Sequence, residues 1–169
     1  MNIALIGFRG TGKTTVCRLL EKRLDKKFVS ADEEIEKQIN QSSEKFVKKH
    51  GRDKFLEIES DVIEKISGFD ECVLDIGYNA VIRNENITNL KKNALIILLT
   101  SDIKTIINRL KNSKEKASAK YYAIEEIKSI LQEREAKYKK AADYIIDTSK
   151  LSPDEACDLI MHYLQTEMQ

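Results

Sequence analysis

The chain has 169 residues, with 29 Lys or Arg against 28 Asp or Glu, so its formal net charge is only +1. This length fits one folded domain with a buried core. A near-neutral chain gives no electrostatic reason to bind nucleic acid or an anionic membrane, and we expect neither partner. No apolar run approaches the ~20 residues that span a bilayer, and residues 2–6 read as a strand rather than a signal peptide. We therefore expect a cytoplasmic protein.

Short apolar runs typical of buried parallel strands alternate with amphipathic helices along the chain. The expected strands lie at 2–6, 28–29, 72–76, 94–99 and 144–147. The last helix has a clear start, with Ser152 as the cap, Pro153 at the first helical position and Glu155 placed to reach back. The alternation predicts an α/β fold with a parallel sheet covered by helices on both faces.

The segment GFRGTGKT, residues 7–14, stands between the first strand and the first helix and matches the P-loop pattern. Its glycines allow a tight turn that points backbone amides inward, and the following helix adds its positive end. Lys13 suits the β and γ phosphates, and the Thr14 hydroxyl suits Mg²⁺. We predict ATP and Mg²⁺ as ligands and assign nucleotide binding to Gly7, Gly10, Thr11, Gly12, Lys13, Thr14 and Thr15.

Residues 111–122, KNSKEKASAKYY, contain little apolar surface and several lysines. We expect a mobile lid over about 111–123, which closes on bound substrates and excludes water. The chain lacks the NKxD motif of GTPases. A compact chain with a P-loop at its start and a basic lid near its end is typical of small-molecule and nucleoside monophosphate kinases.

Five segments resemble, in order, segments of the shikimate kinase family, over nearly the whole chain: FVSADEEIEKQ (28–38), HGRDKFLEIESDVI (50–63), GYNAVIRNEN (77–86), LQEREAKY (131–138) and AADYIIDTSKLSPDE (141–155). The resemblance implies a P-loop NTPase fold of the nucleoside monophosphate kinase type, with a five-stranded parallel sheet in one domain, 1–169. It also implies acceptor-binding helices at about 32–67. The implied activity is transfer of the ATP γ-phosphoryl group to a hydroxyl of a small metabolite.

Two residues match functional positions of that family. Asp32 matches the aspartate that holds and activates the acceptor hydroxyl, a role that suits a carboxylate within hydrogen-bond reach. Its alternative is a helix cap for residues 33–40. Arg134 matches the arginine that contacts the acceptor carboxylate, and its alternative is an exposed arginine on an amphipathic helix. We predict Lys13, Asp32 and Arg134 as the catalytic residues.

Other positions depart from the family pattern. Ser30 stands where the family has its Mg²⁺-associated aspartate, and Leu56 where it has an acceptor-binding arginine. The family's triple glycine is Gly77, Tyr78 and Asn79 here, so a ring and an amide fill space beside the acceptor. The lid's arginine and proline motif is absent, with Lys114, Lys116 and Lys120 nearby instead. These changes favour a different or smaller acceptor, or none.

Two residues are candidates to compensate for these changes. Asp75 ends an apolar strand and could supply to Mg²⁺ the carboxylate missing at Ser30, or it could only meet a backbone amide. Arg52 precedes Leu56 by four residues and shares its helical face, so it is a second candidate arginine, or simply a solvated one. The predicted metal ligands are Thr14 and Asp75. The predicted acceptor contacts are Asp32, Arg52, Gly77, Tyr78, Asn79 and Arg134.

Two alternatives to a shikimate-phosphorylating enzyme remain from the sequence. One is a kinase for another small acceptor, such as a hydroxy acid, nucleoside or nucleotide. The other is a nucleotide-binding regulator with little turnover. Acceptor-stimulated ADP release distinguishes an enzyme from a regulator. We expect a monomer whose partner is a small molecule.

Overall fold

The computed structural model describes residues 1–112 and 124–167. Its five strands are β1 (Asn2–Ile6), β2 (Lys27–Ser30), β3 (Cys72–Asp75), β4 (Ala94–Thr100) and β5 (Tyr144–Asp147). All four strand pairings are parallel, in the order β2-β3-β1-β4-β5. The predicted fold class, a P-loop NTPase fold with a five-stranded parallel sheet, is confirmed.

The helices that flank the sheet are α1 (Lys13–Leu24), α2 (Ala31–Ile39), α3 (Ser43–His50), α4 (Arg52–Ser67), a short 3₁₀ helix (Ala80–Ile82), α5 (Asn84–Lys91), α6 (Ile103–Asn112), α7 (Ile124–Ala141) and α8 (Pro153–Glu167). Helix α8 begins as predicted. The Glu155 amide donates to Ser152 Oγ at 3.1 Å, and the Ser152 amide donates to Glu155 Oε2 at 2.8 Å. Among the described helices, none has the length and apolar character needed to cross a bilayer.

Residues 111 and 112 of the predicted lid are the last two residues of α6. The rest of the predicted lid, 113–123, lies outside the described residues. The lysines that the sequence analysis named there are Lys114, Lys116 and Lys120.

Apolar side chains from alternate positions of the central strands form a core on each face of the sheet. Ala4 and Ile6 of β1 pack into one core with α4 and α5, and Ile3 and Leu5 pack into the other with α1 and α8. This alternation follows from the two-residue period of a strand covered on both sides. Cys17, Cys72 and Cys157 are buried free thiols.

The carboxyl ends of β1 and β3 define the position of the site. The connection after β1 leads to β2 on one side of β1, and the connection after β3 leads to β4 on its other side. Such a switch point opens a crevice at the strand ends. Leu5 pairs with Asp75, so the end of β3 lies beside the turn that follows β1. Only glycine fits at position 7, because its φ is +142° and a Cβ there would lie 2.3 Å from the Leu99 carbonyl oxygen.

Candidate active site

The P-loop is held by its own hydrogen bonds and by β5. Thr11 Oγ1 donates to the Phe8 carbonyl oxygen at 2.8 Å, and Lys13 Nζ donates to the same oxygen at 3.1 Å. Thr148 Oγ1 donates to the Thr11 carbonyl oxygen at 2.8 Å. Helix α1 starts at Lys13, immediately after Gly12, which has no side chain to cap it. The first amides of the helix therefore suit an anion, as do the positive φ angles of the loop glycines.

The P-loop forms one wall of a cleft of about 1150 Å³. The opposite wall comes from helices α2 to α4 and from residues 77–79. Of the site residues predicted from the sequence, Gly7 alone lies outside the lining of the cleft. The cleft brings together the remaining predicted residues, namely Gly10, Thr11, Gly12, Lys13, Thr14, Thr15, Asp32, Arg52, Asp75, Gly77, Tyr78, Asn79 and Arg134.

Thr14 and Asp75, the two predicted metal ligands, are in contact. Thr14 Oγ1 donates to Asp75 Oδ2 at 2.5 Å. Burial raises the pKa of Asp75, while the charge of Lys13 and the Thr14 hydrogen bond oppose that rise. Burial lowers the pKa of Lys13, opposed by the charges of Asp75 and Asp32. A hydroxyl and a carboxylate oxygen beside a phosphate cradle suit Mg²⁺, which usually keeps several waters and few protein ligands.

Ser30 has a structural role in place of a metal-binding one. Its hydroxyl accepts from the Glu33 amide at 3.2 Å and caps α2. The capping alternative for Asp32 is therefore wrong, since Asp32 is already the second residue of that helix. Its carboxylate instead lies at the cleft, with Oδ1 3.0 Å from the position that a Cβ on Gly77 would take. Glycine at 77 leaves room for this carboxylate.

Glu59 is a buried carboxylate at the same place, and the sequence reading missed it. Its Oε2 lies 3.1 Å from the same Gly77 position, and the residue is 2% exposed. Burial and the nearby charge of Asp32 raise the pKa of Glu59 to about 7, against the opposing charge of Arg134. Glu59 Oε1 has no hydrogen-bond partner among the described residues. The signal was available, because Glu59 falls on the apolar face of α4.

Arg134 is 5% exposed, so the alternative of a solvent-exposed arginine is wrong. Its Nη1 donates to the Tyr78 carbonyl oxygen at 3.1 Å, and the Tyr138 hydroxyl donates to that oxygen at 2.7 Å. Burial raises the pKa of Tyr138 to about 12, so this hydroxyl keeps its proton. Arg134 Nε is buried and lacks a hydrogen-bond partner within the described residues.

The remaining predicted acceptor contacts, Arg52, Tyr78 and Asn79, differ in their surroundings, as does Leu56, which stands where the family has an arginine. Leu56 is buried in the core that lies under α4, where it brings no charge to the cleft. Arg52, the first residue of α4, is exposed at the rim of the cleft. The Tyr78 ring packs edge-on against Phe8 of the P-loop, with 5.6 Å between ring centroids. The Asn79 carbonyl oxygen accepts from the Ile82 amide at 3.0 Å and starts the 3₁₀ helix.

The other end of the cleft contains Arg109 and Pro153, which the sequence reading also missed. Arg109 Nη1 donates to Thr148 Oγ1 at 2.9 Å, and Nη2 donates to the Thr148 carbonyl oxygen at 2.6 Å. An arginine on α6 has no sequence signal that ties it to a strand end 39 residues further on.

The fold and the cleft together define a P-loop phosphotransferase with the architecture of a small-molecule kinase. A sequence profile described as "Shikimate kinase" matches residues 9–165. A shikimate kinase of Pelotomaculum thermopropionicum is 37% identical over 165 residues, covering 97% of this chain and 95% of the relative. One from Thermodesulfovibrio yellowstonii is 38% identical over 161 residues, covering 95% of this chain and 92% of the relative.

Two solved structures are similar over almost the whole chain. The shikimate kinase of Acinetobacter baumannii, in complex with shikimate, has a TM-score of 0.91 at 24% identity and covers 99% of this chain and 95% of that one. The shikimate kinase of Aquifex aeolicus has a TM-score of 0.84 at 26% identity, with 99% and 98% covered. The chain belongs to the shikimate kinase family. It is an ATP-dependent kinase that acts on a hydroxyl of a small-molecule acceptor.

Proposed function

We propose that this chain is a shikimate kinase, which transfers the γ-phosphoryl group of MgATP to a hydroxyl of shikimate. The observation that carries the proposal is the meeting of a P-loop with the Asp32 carboxylate in one cleft. The names of the most similar curated relatives supply the acceptor. A cytoplasmic location and a monomeric state stay predictions from the sequence.

The P-loop end of the cleft binds the donor. The loop amides and the start of α1 surround the phosphates, and Lys13 neutralises their charge. Thr14 and Asp75 would hold Mg²⁺, which would offset the negative charge of the donor phosphates when bound. Arg109 and Pro153 border the space left for the nucleoside.

Asp32 orients the acceptor hydroxyl and accepts its proton. As the oxygen of that hydroxyl bonds to the γ phosphorus, the bond to the bridging oxygen breaks and ADP leaves with its electron pair. Positioning and charge neutralisation account for most of the catalysis in such transfers, because the transferred group itself needs little covalent help. Arg134 contacts the acceptor or the transferring phosphoryl group.

The test is ADP production by the purified protein with MgATP, with and without millimolar shikimate. We expect stimulation well above the background ATPase rate. Binding of ATP without stimulation would overturn shikimate as the acceptor, and it would return the choice to the other acceptors or to the nucleotide-binding regulator.

Replacing Asp75 with Asn should weaken the Mg²⁺ dependence of turnover. The amide keeps the shape of the side chain but loses the charge that suits the cation, and we expect the Mg²⁺ concentration for half-maximal rate to rise about tenfold. A Mg²⁺ titration at fixed ATP measures this. Asp147→Asn at the end of β5, outside the cleft lining, is the matched control. An unchanged titration for Asp75→Asn would remove Asp75 from the metal site.

Replacing Arg52 with Ala should raise the KM for shikimate with little change in kcat. Because Arg52 is exposed at the rim, the expected rise is only about two- to fivefold. Lys54→Ala, on the same exposed turn of α4, is the control. Equal KM values for the Arg52 variant and the wild type would leave Arg52 as a solvated side chain.

A further inference from the structure

The acceptor end of the cleft has an acidic side and a basic side. One side carries the carboxylates of Asp32 and Glu59, both next to Gly77. The other side carries two arginines at the neighbouring residue, Tyr78. The guanidinium carbon of Arg134 lies 5.4 Å from the centroid of the Tyr78 ring, and that of Arg9 lies 5.7 Å from the same centroid.

The acidic side adjoins Gly77 and the basic side adjoins Tyr78, the next residue, so the two sides are neighbours in the cleft. A ligand that fits both sides has a hydroxyl at one end and an anionic group at the other. Because Leu56 is buried in the core, it supplies none of the positive charge on the basic side.

The family resemblance already assigns Arg134 to the acceptor carboxylate. We propose that Arg9 is the second arginine at that carboxylate, and that Tyr78 is the positioning residue that holds both guanidinium groups. The proposal rests on the proposed function, since it takes the acceptor to be a hydroxylated carboxylic acid. It assigns to Arg9, at a variable position of the P-loop, a role in acceptor recognition in addition to any effect on the nucleotide.

The contacts of Tyr78 explain how it positions the arginines. Its carbonyl oxygen accepts from Arg134 Nη1 at 3.1 Å, which ties one guanidinium group to the backbone of Tyr78. Its ring offers a π face, to which guanidinium groups are attracted. The same ring packs on Phe8, the residue before Arg9, so it joins the P-loop to the wall of the acceptor site.

The fork of a guanidinium group suits a carboxylate, and a charged hydrogen bond in a partly buried site is stronger than a neutral one. Removing Arg9 should therefore raise the KM for shikimate about tenfold or more. The KM for ATP should change less than about twofold, because Lys13 and the loop amides, not Arg9, hold the phosphates.

The test compares Arg9→Met with the wild type on two acceptors, shikimate and its neutral carboxamide. We expect the variant to lose affinity for shikimate only, with the two proteins alike on the carboxamide. Lys104→Met is the control, because it removes one positive charge from an exposed site outside the cleft lining. A second pair of variants tests the ring of Tyr78. Tyr78→Leu should raise the KM for shikimate, whereas Tyr78→Phe, which keeps an aromatic ring, should have a KM close to that of the wild type.

The experiment also distinguishes the acceptor carboxylate from the transferred phosphoryl group as the anion that Arg9 contacts. If Arg9 contacts the transferred phosphoryl group, Arg9→Met lowers kcat or raises the KM for ATP equally with both acceptors, which overturns the proposal. Calorimetric binding of shikimate in the presence of MgADP separates the remaining outcomes. Equal binding by Arg9→Met and the wild type overturns the role of Arg9 alone. No binding by the wild type overturns the acceptor as well.

Discussion

Asp32→Asn is expected to lower kcat with shikimate by about 10²- to 10⁴-fold, the range for loss of a general base. The amide has the same shape and can still hydrogen-bond the acceptor hydroxyl, but it cannot take the proton released as the new bond to phosphorus forms. Asp32 lies at the cleft while Ser30 caps the helix, so the substitution leaves the start of α2 intact. Steady-state rates at saturating ATP and shikimate measure the effect.

The control for Asp32→Asn is Glu33→Gln, the next residue of α2, which is exposed and lies outside the cleft of the P-loop. ATP binding, measured by calorimetry, should be nearly unchanged in both variants. A kcat within about threefold of the wild type for Asp32→Asn would mean that proton transfer does not depend on this carboxylate. Glu59, with its raised pKa and its place beside Gly77, would then be the next residue to replace.

The sequence determines the fold well because its signals are local and agree with one another. The apolar run 2–6, the glycine-rich turn and the start of α1 all lie within residues 2–13. The capping box formed by Ser152 and Glu155 begins α8 as expected. Parallel pairing then follows from the alternation of strands and helices. The five strands lie where their apolar runs predicted, within a residue or two at each end.

The site was harder to predict, because its contacts join residues far apart in the chain. The sequence named Arg134 and Tyr78 separately. Only the fold shows that the Tyr78 carbonyl oxygen accepts a hydrogen bond from Arg134, 56 residues away in the chain. Asp32 and Ser30 were both plausible caps, and the start of α2 decides between them. Glu59 was not predicted, although its place on the apolar face of α4 indicates a buried carboxylate.

Glu59→Gln is expected to change the pH dependence of stability. Between the ordinary carboxyl pKa of 4.5 and the folded-state value of about 7, the folded protein holds a proton that the unfolded chain has lost. The wild type therefore loses stability as pH rises through this window, and the loss is complete above it. The neutral amide has no such loss. Its free energy of unfolding should exceed that of the wild type by about 3 kcal/mol at pH 8 and by less than about 1 kcal/mol at pH 5.

Urea unfolding of both proteins at the two pH values measures this difference. Glu57→Gln is the matched control, because its side chain is 55% exposed on the same helix. If the difference in the free energy of unfolding between Glu59→Gln and the wild type were the same at both pH values, the pKa of Glu59 would not be raised in the folded protein. The expected result has a functional meaning. A buried carboxylate that costs stability at neutral pH, next to Asp32 and within the field of Arg134, is explained if an acceptor hydroxyl supplies the hydrogen bond that Oε1 lacks among the described residues.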